Sequence, residues 1–448
     1  MILQKRAKLF VQLFFVALFF VAAPYVVIKM LGLVIDLKHM RLAKAGSLYV
    51  RFLPRTAALA IDGEPYPATA GYLNHDIYVS GLAPDTYDIS LSLKDYSPWH
   101  KQLEIESGKV SYANDVILWP DFIPVEGSST TITSFVPVKG GLITNSTSSP
   151  LSFNGTALKG NKVIISDANS PYIVTAGSGK YYFTDLDAPS VSANVTDLFA
   201  SLQRSQLHIA PQPLRTVIAH PFTKTKLILG SDTAFFMLDI KKNEIEQIFK
   251  INGTRAYATN DSELLVVDSK GTLTAANLIV HSINTYSAHL GFAVKMVSDT
   301  DGNRLLLEDE SHELYIFDRS QQILKKLTSD IAYYTFSPDG KRAVYISTDG
   351  TMRVLYLAEY EGNTLHKIND VDVLYLSAHE DPKSFAWIPF APNYFLMQSG
   401  DRLLAEEFDA RPPHNVAVIA RSITAFTLTD YLYLLHADKT LTWGTLEQ

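Results

Sequence analysis

The chain has no cysteine among its 448 residues, so no disulfide stabilises any part of it, whichever compartment it occupies. Charge is sparse as well: Asp, Glu, Lys and Arg make up 19% of the residues, and 39 basic side chains against 46 acidic ones leave a net −7. The first 44 residues hold seven basic groups and a single acid, Asp36, which leaves −13 on the remainder. A body of that sign is not suited to nucleic acid or to adhesion on an anionic lipid surface by charge attraction, and its charge favours solubility. Helical periodicity is scarce. Beyond the amino-terminal region it is carried by 196–203, with Thr196 placed to cap the first turn and Leu198, Phe199 and Leu202 on one face. Short catalytic signatures are missing too: there is no Gly-x-Ser-x-Gly elbow and no pair of histidines at helical metal-binding spacing, the 12 histidines being scattered singly.

One long apolar run stands against this background. Residues 9–28 are apolar except for Gln12, and Lys5, Arg6 and Lys8 precede them. About twenty apolar residues wound as a helix match the ~30 Å hydrocarbon core of a bilayer, so 9–30 is expected to cross a membrane, with 1–8 as a cytoplasmic tip. No polar stripe at helical spacing interrupts the run, as it would in a helix on the surface of a soluble domain. A cleaved secretory signal has an apolar core of about 7–15 residues ending in a small-x-small site. Val21, Ala22 and Ala23 offer such a site, yet Pro24 would follow the scissile bond, and the apolar character continues through Tyr25, Val26, Val27 and Ile28. An uncleaved signal anchor is therefore expected. Lys29, Lys38, Arg41 and Lys44 on the far flank nearly balance the near one, so orientation is read from the basic tip ahead of the first apolar segment. That reading puts the amino terminus in the cytoplasm and the chain from about residue 40 onward outside.

The remainder is too long for one ordinary core, and its 23 Tyr, 23 Phe and long alternating runs predict an all-β protein of at least two units. In 45–119, Leu48, Val50 and Phe52 alternate with polar partners, Leu59 and Ile61 begin a second strand, and Asp62-Gly63 supplies a tight turn. Tyr87, Ile89, Leu91 and Leu93 then face one side while Asp88, Ser90 and Ser92 face the other, which predicts a compact sandwich. These residues resemble the PEGA domain of prokaryotic envelope proteins. The likeness is carried by a strand started at Gly46, Pro54 followed by small residues, the Ile61-Asp62-Gly63 turn, a Leu-x-Pro-x-x-Tyr segment at Leu82, Pro84 and Tyr87, and Tyr96 near the next turn. It departs from the family pattern where Arg55-Thr56-Ala57 stands in place of the name-giving tetrapeptide and where Asp85 replaces a turn glycine. The resemblance implies an envelope-exposed spacer or interaction module without a catalytic group.

After a linker at 120–129, apolar triplets recur with a period near forty: Leu227-Ile228-Leu229, Leu264-Leu265-Val266, Leu305-Leu306-Leu307, Ala343-Val344-Tyr345, Tyr394-Phe395-Leu396 and Leu432-Tyr433-Leu434. Repeats of about 40 residues with four short strands each are propeller blades. The turn Ser337-Pro338-Asp339-Gly340-Lys341 resembles a hairpin frequent in bacterial β-propellers, a likeness that bears on fold and not on function. Counting a less regular copy at Tyr172, Ile173 and Val174, 130–448 is expected to form seven blades, with 131–136 supplying the outer strand that the last blade lacks. An eighth blade from 142–158 is the alternative.

Several constellations compete with turn chemistry. Asp299, Asp301, Asn303 and Glu310 have the spacing of a calcium loop, but Arg304 occupies its obligatory glycine position and a strand follows, so a hairpin turn is expected. Gly177-Ser178-Gly179-Lys180 lacks the Ser or Thr and the leading Gly of a phosphate loop and reads as a turn. His379-Glu380-Asp381 reads as a solvated loop, and the Asn-x-Ser/Thr triplets at Asn145, Asn154, Asn194, Asn252 and Asn260 as chance in a Ser- and Thr-rich chain. No residue is assigned a catalytic, cofactor-binding or metal-binding role, and no cofactor is expected.

The expectation is a single-pass envelope protein, not an enzyme, whose lipid partner is the bilayer at 9–30 and whose propeller presents loops to an envelope protein or glycan. The insertion 358–383 and the segment 203–213 are the first candidates for those loops. The rivals are a polysaccharide- or peptide-acting hydrolase or lyase in the propeller channel and a purely structural wall spacer. Fractionation of cells expressing the full chain is expected to recover it with membranes, resistant to high salt and released by detergent; a freely dissolved cytosolic pool would contradict the anchor.

Overall fold

The computed structural model of the chain describes residues 14–446 apart from 17, 21, 24–25, 37–39, 68–75, 122–125, 128–130, 147–149, 168–169, 288 and 376–381. Within the expected span 9–30, residues 14–16, 18–20, 22–23 and 26–30 are helical, and the others lie outside the described residues. Among the described residues no helix is long and apolar enough to cross a membrane. A hairpin of Leu33–Asp36 and Arg41–Lys44 follows, in which Arg41 Nε donates to the buried Asp36 carboxylate at 3.1 Å.

The next unit is a sandwich of two sheets. Gly46–Leu53 pairs antiparallel with Asp76–Leu82 and parallel with Val110–Ile117. The facing sheet runs in the order Glu64–Pro65, Ala58–Ile61, Asp85–Ser92, Trp99–Ile105. Period-two alternation turns Leu48, Val50 and Phe52 inward from one sheet and Leu59, Ile89 and Leu91 inward from the other, where they share one buried core. Asp62 and Gly63 both take positive φ, 52° and 79°, the primed two-residue turn whose twist suits a hairpin.

The remainder forms eight four-stranded sheets among the described residues. Blades 1 to 8 begin with Ile132–Val138, Lys162–Ile165, Thr216–Ala219, Thr254–Thr259, Ala293–Ser298, Ile331–Phe336, Pro382–Trp387 and Ile423–Leu428. First strands of blades 2 and 3 touch, as do those of blades 4 through 8 in succession, which places them at the axis. Every one of the six apolar triplets lies in the second strand of a blade. The run is continuous because that strand is covered on both faces: Leu305 and Leu307 pack toward blade 4, and Leu306 packs toward blade 6. A core of this kind fills the gap between each pair of neighbours, and the last, built on Ile132, Leu435 and Leu441, joins blade 8 to blade 1. The ring is closed.

Two expectations about closure are corrected. There are eight blades, the alternative built on 142–158, and not the favoured seven, because 132–157 forms a full blade whose second strand, Gly141–Ser146, buries Ile143 without an apolar triplet to announce it. Its third and fourth strands, Ser152–Phe153 and Thr156–Ala157, are two residues each, too short for a periodic signal. The outer strand of blade 8 is Glu126–Gly127, from the expected linker, paired with Trp443 and Thr442; the residues 131–136 expected there open blade 1 instead. The helix at 196–203 extends over Val195–Ser205, and its cap is Asn194, whose Oδ1 accepts from Asp197 N at 3.1 Å, while Thr196 accepts from Tyr181 N.

The turns repeat a function without repeating a residue. Directly after the first strand of blades 3, 4, 5, 6 and 8 stand His220, Asn260, Asp299, Ser337 and Thr429, and each side chain accepts from backbone N–H groups of the turn that follows. Leu306→Ala, at a fully buried position between blades 5 and 6, is expected to lower unfolding stability by about 2–5 kcal/mol. Val280→Ala, at an exposed position, is expected to change it by less than about 0.5 kcal/mol, both read from denaturant unfolding.

Candidate functional site

The sandwich is not a free stalk. One flank of it, formed by the edge strands Trp99–Ile105 and Val110–Ile117, lies against blades 6 and 7. Edge strands expose unpaired backbone groups, and here the propeller satisfies them. Gln102 N donates to Pro412 O at 2.9 Å, and Asn415 pairs with both backbone groups of His100, accepting from its N at 2.9 Å and donating to its O at 2.7 Å. On the other edge, Asn114 N donates to Asn363 Oδ1 at 2.5 Å, Ile117 N donates to the Tyr394 hydroxyl at 3.1 Å, and Arg411 donates to Tyr112 O at 3.0 Å. Ile117 and Trp119 extend the core between blades 7 and 8, with Trp119 edge-on to Tyr394.

At the centre of this contact is a buried charge pair. Alternation along Trp99–Ile105 puts Lys101 on the same inward phase as Trp99, Leu103 and Ile105, and its side chain is 0% exposed. Its ammonium donates to Glu407, to Asp409 O at 3.1 Å and to Pro413 O at 3.0 Å, which employs all three of its N–H groups. Glu407 also accepts from Trp99 Nε1 at 3.0 Å and from Asn415 Nδ2 at 2.8 Å. Nearby, burial pushes the Asp409 carboxyl up, but Arg411, which grips it through Nε at 2.9 Å and Nη2 at 2.5 Å, holds it below the ordinary carboxylate value. Complete burial, reinforced by Glu407, pushes the Tyr394 hydroxyl well up, so it stays neutral and serves the junction as a hydrogen-bonding group.

Beside the pair is a cavity of about 340 Å³, bounded by Asn114 and Val116 of the sandwich, the hairpin at 360–366 of blade 6, and 407–411 of blade 7. Arg342 stands in its wall at 2% exposure. The guanidinium lies over Tyr360, Phe408 and Trp387 at 4.6, 5.0 and 5.1 Å from the ring centres, donates through Nη2 to Pro392 O at 3.0 Å, and has no partner for Nε. Across the cavity Tyr356 stacks on His366 at 3.8 Å, and the Tyr356 hydroxyl donates to Asp372 at 2.9 Å.

No family model matches any part of the chain, so the PEGA likeness of 45–119 rests on its residues alone, and no curated protein matches the chain. Among solved structures it is similar to Hsv2 of Kluyveromyces lactis at 11% identity, over 65% of this chain and 99% of that one, with a TM-score of 0.45. A chain of the mitotic checkpoint complex is similar at 13% identity, over 71% and 93%, with a TM-score of 0.42, and the computationally designed protein Ika8 at 13%, over 71% and 98%, with 0.46. The propeller is established by this chain's own strand order, to which these likenesses add no argument.

The loops expected to meet a partner pack in part against the molecule itself, and Arg204, Ser205, His208, Thr364, Leu365 and Ile368 in them stay exposed. The insertion 358–383 holds a hairpin, Tyr360–Glu361 with Leu365–His366, that reaches the sandwich through Asn363, and then the outer strand of blade 6, Val371–Tyr375. The segment 203–213 packs between blades 2 and 3, where Gln212 accepts from Ser231 and Thr233. Asp299 sits in its turn, its carboxyl pushed up by burial against the pull of the Arg304 and Asn303 amides, while Glu310 turns away to Arg255 at 3.1 Å. Among the described residues no cluster of His, Asp and Glu could hold a metal ion. Ser178 and Gly179 are the turn of a hairpin, both at positive φ, and Lys180 pairs with Asp197. His379-Glu380-Asp381 lies outside the described residues. Asn194 is a helix cap, and Asn260 accepts from Ser262 and Glu263 amides, so both triplets have local structural work.

Sequence reasoning missed Lys101, Glu407 and Arg342. The signal for the first was present: a lysine on the inward phase of an alternating strand. Lys101→Met alone strands Glu407 without its counter-charge and is expected to cost about 3–5 kcal/mol, whereas Lys101→Met with Glu407→Gln recovers most of that, read by tryptophan fluorescence during unfolding, since Trp99 and Trp119 report on the junction. Because Asp409 is held low, its contribution is fully present above the ordinary value of 3.8 and is lost as pH falls through the lower folded value, so mild acid leaves the junction intact.

Proposed function

We propose that the chain is a membrane-held binding platform: residues 9–30 anchor it with the amino terminus in the cytoplasm, and the PEGA-like sandwich and propeller lie outside as one rigid body. The observation that carries this reading is the welded junction, which fixes the propeller's orientation relative to the segment that leads back to the anchor. A flexible linker would serve to tether a domain; a junction with both edges satisfied serves to aim one.

The direction follows from topology. Consecutive turns of a four-stranded meander alternate between the two ends of a blade, so the turns between strands 1 and 2 and between strands 3 and 4 share one face. The sandwich occupies that face, through 409–415 of the second kind in blade 7 and through Tyr394, which directly follows the turn of the first kind. The opposite face carries the turns between strands 2 and 3, and it points away from the sandwich. It is polar and charge-paired, with Lys180 to Asp197 and Arg215 to Asp232 at 2.9 Å and Arg255 to Glu310 at 3.1 Å. Such a surface suits a hydrated protein or glycan partner rather than lipid. The hydrolase alternative needs convergent carboxyls or histidines with perturbed pKa values; among the described residues Asp299 is the carboxyl whose pKa is raised, by burial, and it is engaged in its own turn.

The cysteine-free sequence makes the test direct, because a single introduced thiol is unique. With a photo-cross-linker on Ser311→Cys in the far face, an envelope-derived adduct is expected, and none with Glu64→Cys at the sandwich turn. Equal labelling from both positions, or adducts from Glu64→Cys alone, would place the partner surface elsewhere.

A further inference from the structure

We propose that the hairpin 33–44 is a second membrane contact, its apolar face lying in the interfacial layer of the same phospholipid bilayer that 9–30 spans. The inference deepens the platform reading and rests on its anchor. Register divides the hairpin into two faces: Leu33 pairs with Lys44 and Ile35 with Leu42 on one, and Val34 with Ala43 and Asp36 with Arg41 on the other. The second face is the covered one, with Asp36 buried and Val34 and Ala43 half-buried where Leu33–Asp36 lies against Asp76–Leu82 of the sandwich. The first face is open. Ile35 and Leu42, side by side, are each more than half exposed, as are Met40 beside the tip and Met30 and Leu31 at the end of the helix. Single exposed apolar residues need no partner, whereas a contiguous group of them bordered by charge marks an interaction surface.

Position selects lipid as the occupant. Only Leu31 and Gly32 separate the expected span from Leu33, a reach of at most about 10 Å even in extended chain, so a helix seated in the bilayer holds the hairpin at the headgroups. The link is ordered: Leu31 N donates to Val27 O and Gly32 N to Lys29 O, both at 3.0 Å, and Gly32, at φ 67°, turns the chain out of the helix. A protein partner would have to displace lipid from that level to reach the same side chains. Lys29 in the last helical turn and Lys44 opposite Leu33 are exposed, and ammonium heads on apolar stems suit a surface that meets acyl chains and phosphates together. The hairpin is also fixed to the sandwich. Ala45 N donates to Gly32 O at 2.8 Å, Gly108 N to Ala45 O at 3.1 Å and Ser107 Oγ to Lys44 O at 3.2 Å, and the Lys44 stem lies so close over Gly108 that a Cβ there would come within 2.9 Å of its Cδ. Helix and hairpin then give the sandwich, and the propeller joined to it, two points of support on the bilayer, which stops rotation about the helix axis.

The full-length chain, carrying one NBD-labelled cysteine at a time, is placed in phosphatidylcholine nanodiscs, and quenching by bromine on the acyl chains is compared with quenching by aqueous iodide. Probes at Ile35→Cys and Met40→Cys are expected to be quenched by the brominated lipid and to be at least about threefold less accessible to iodide than a probe at Ser311→Cys on the far propeller face. A probe at Phe15→Cys reports on the anchor by itself. Adding Ile35→Ser and Leu42→Ser, both at exposed positions, is expected to return the Met40→Cys probe to iodide. Iodide access at Ile35→Cys and Met40→Cys equal to that at Ser311→Cys, with Phe15→Cys still quenched by the lipid, would overturn the hairpin contact and leave the anchor standing. Iodide access at Phe15→Cys as well would remove the anchor, and the hairpin contact with it. Protection of the hairpin probes from both quenchers would also overturn the proposal, since it would mean a protein cover such as a second copy of the chain.

Discussion

The architecture depends on one lysine having somewhere to go. Lys101 sits in the inward register of a sandwich strand, and an ammonium there is untenable unless something outside the sandwich meets it. Blade 7 does so with Glu407 and two carbonyl oxygens, and the same contact satisfies the open edges of both sandwich sheets. The pair itself contributes little net stability, since desolvating both charges offsets most of their attraction. Its effect is on geometry: any other docking of the two units leaves a buried charge alone. The sandwich and the propeller are thereby held in one arrangement, and the cavity beside Arg342 exists because of that arrangement.

The propeller solves a different problem by repetition. A four-stranded sheet cannot bury both faces alone, and stacking around an axis lets each second strand give alternate residues to the blade before and the blade after. That places continuous apolar triplets at second strands and polar, capped turns at both ends. Closure by Glu126–Gly127 at blade 8 brings the two ends of the ring together, so unfolding of either end exposes the core at Ile132, Leu435 and Leu441.

Much of this was readable in the chain. The triplets at 227–229, 264–266, 305–307, 343–345, 394–396 and 432–434 marked six second strands, because burial on both faces demands an unbroken apolar run. Blade 1 was legible only as the alternative at 142–158, since Gly141–Ser146 buries chiefly Ile143 and its outer strands are too short to show a period. The turn repeat escaped for a chemical reason: His220, Asn260, Asp299, Ser337 and Thr429 each supply an acceptor at the same place, and an acceptor is a property that many residue types share. The loops at 203–213 and 358–383 read as solvent-facing insertions, and their described residues both pack in part against the molecule and keep exposed positions such as Arg204, His208, Leu365 and Ile368.

By itself the sequence determined what local periodicity can encode: the all-β class, the sandwich alternation at 45–119, the recurrence of blades, the tight turns and the apolar character of 9–28. Only the tertiary structure decided the blade count, the strand that closes the ring, the welded junction and the burial of the Arg342 guanidinium beside it. The closing strand and the junction join residues far apart in the chain, as Glu126 to Trp443 and Lys101 to Glu407, and a pairing across hundreds of residues leaves no spacing in either partner's neighbourhood for a reader to find.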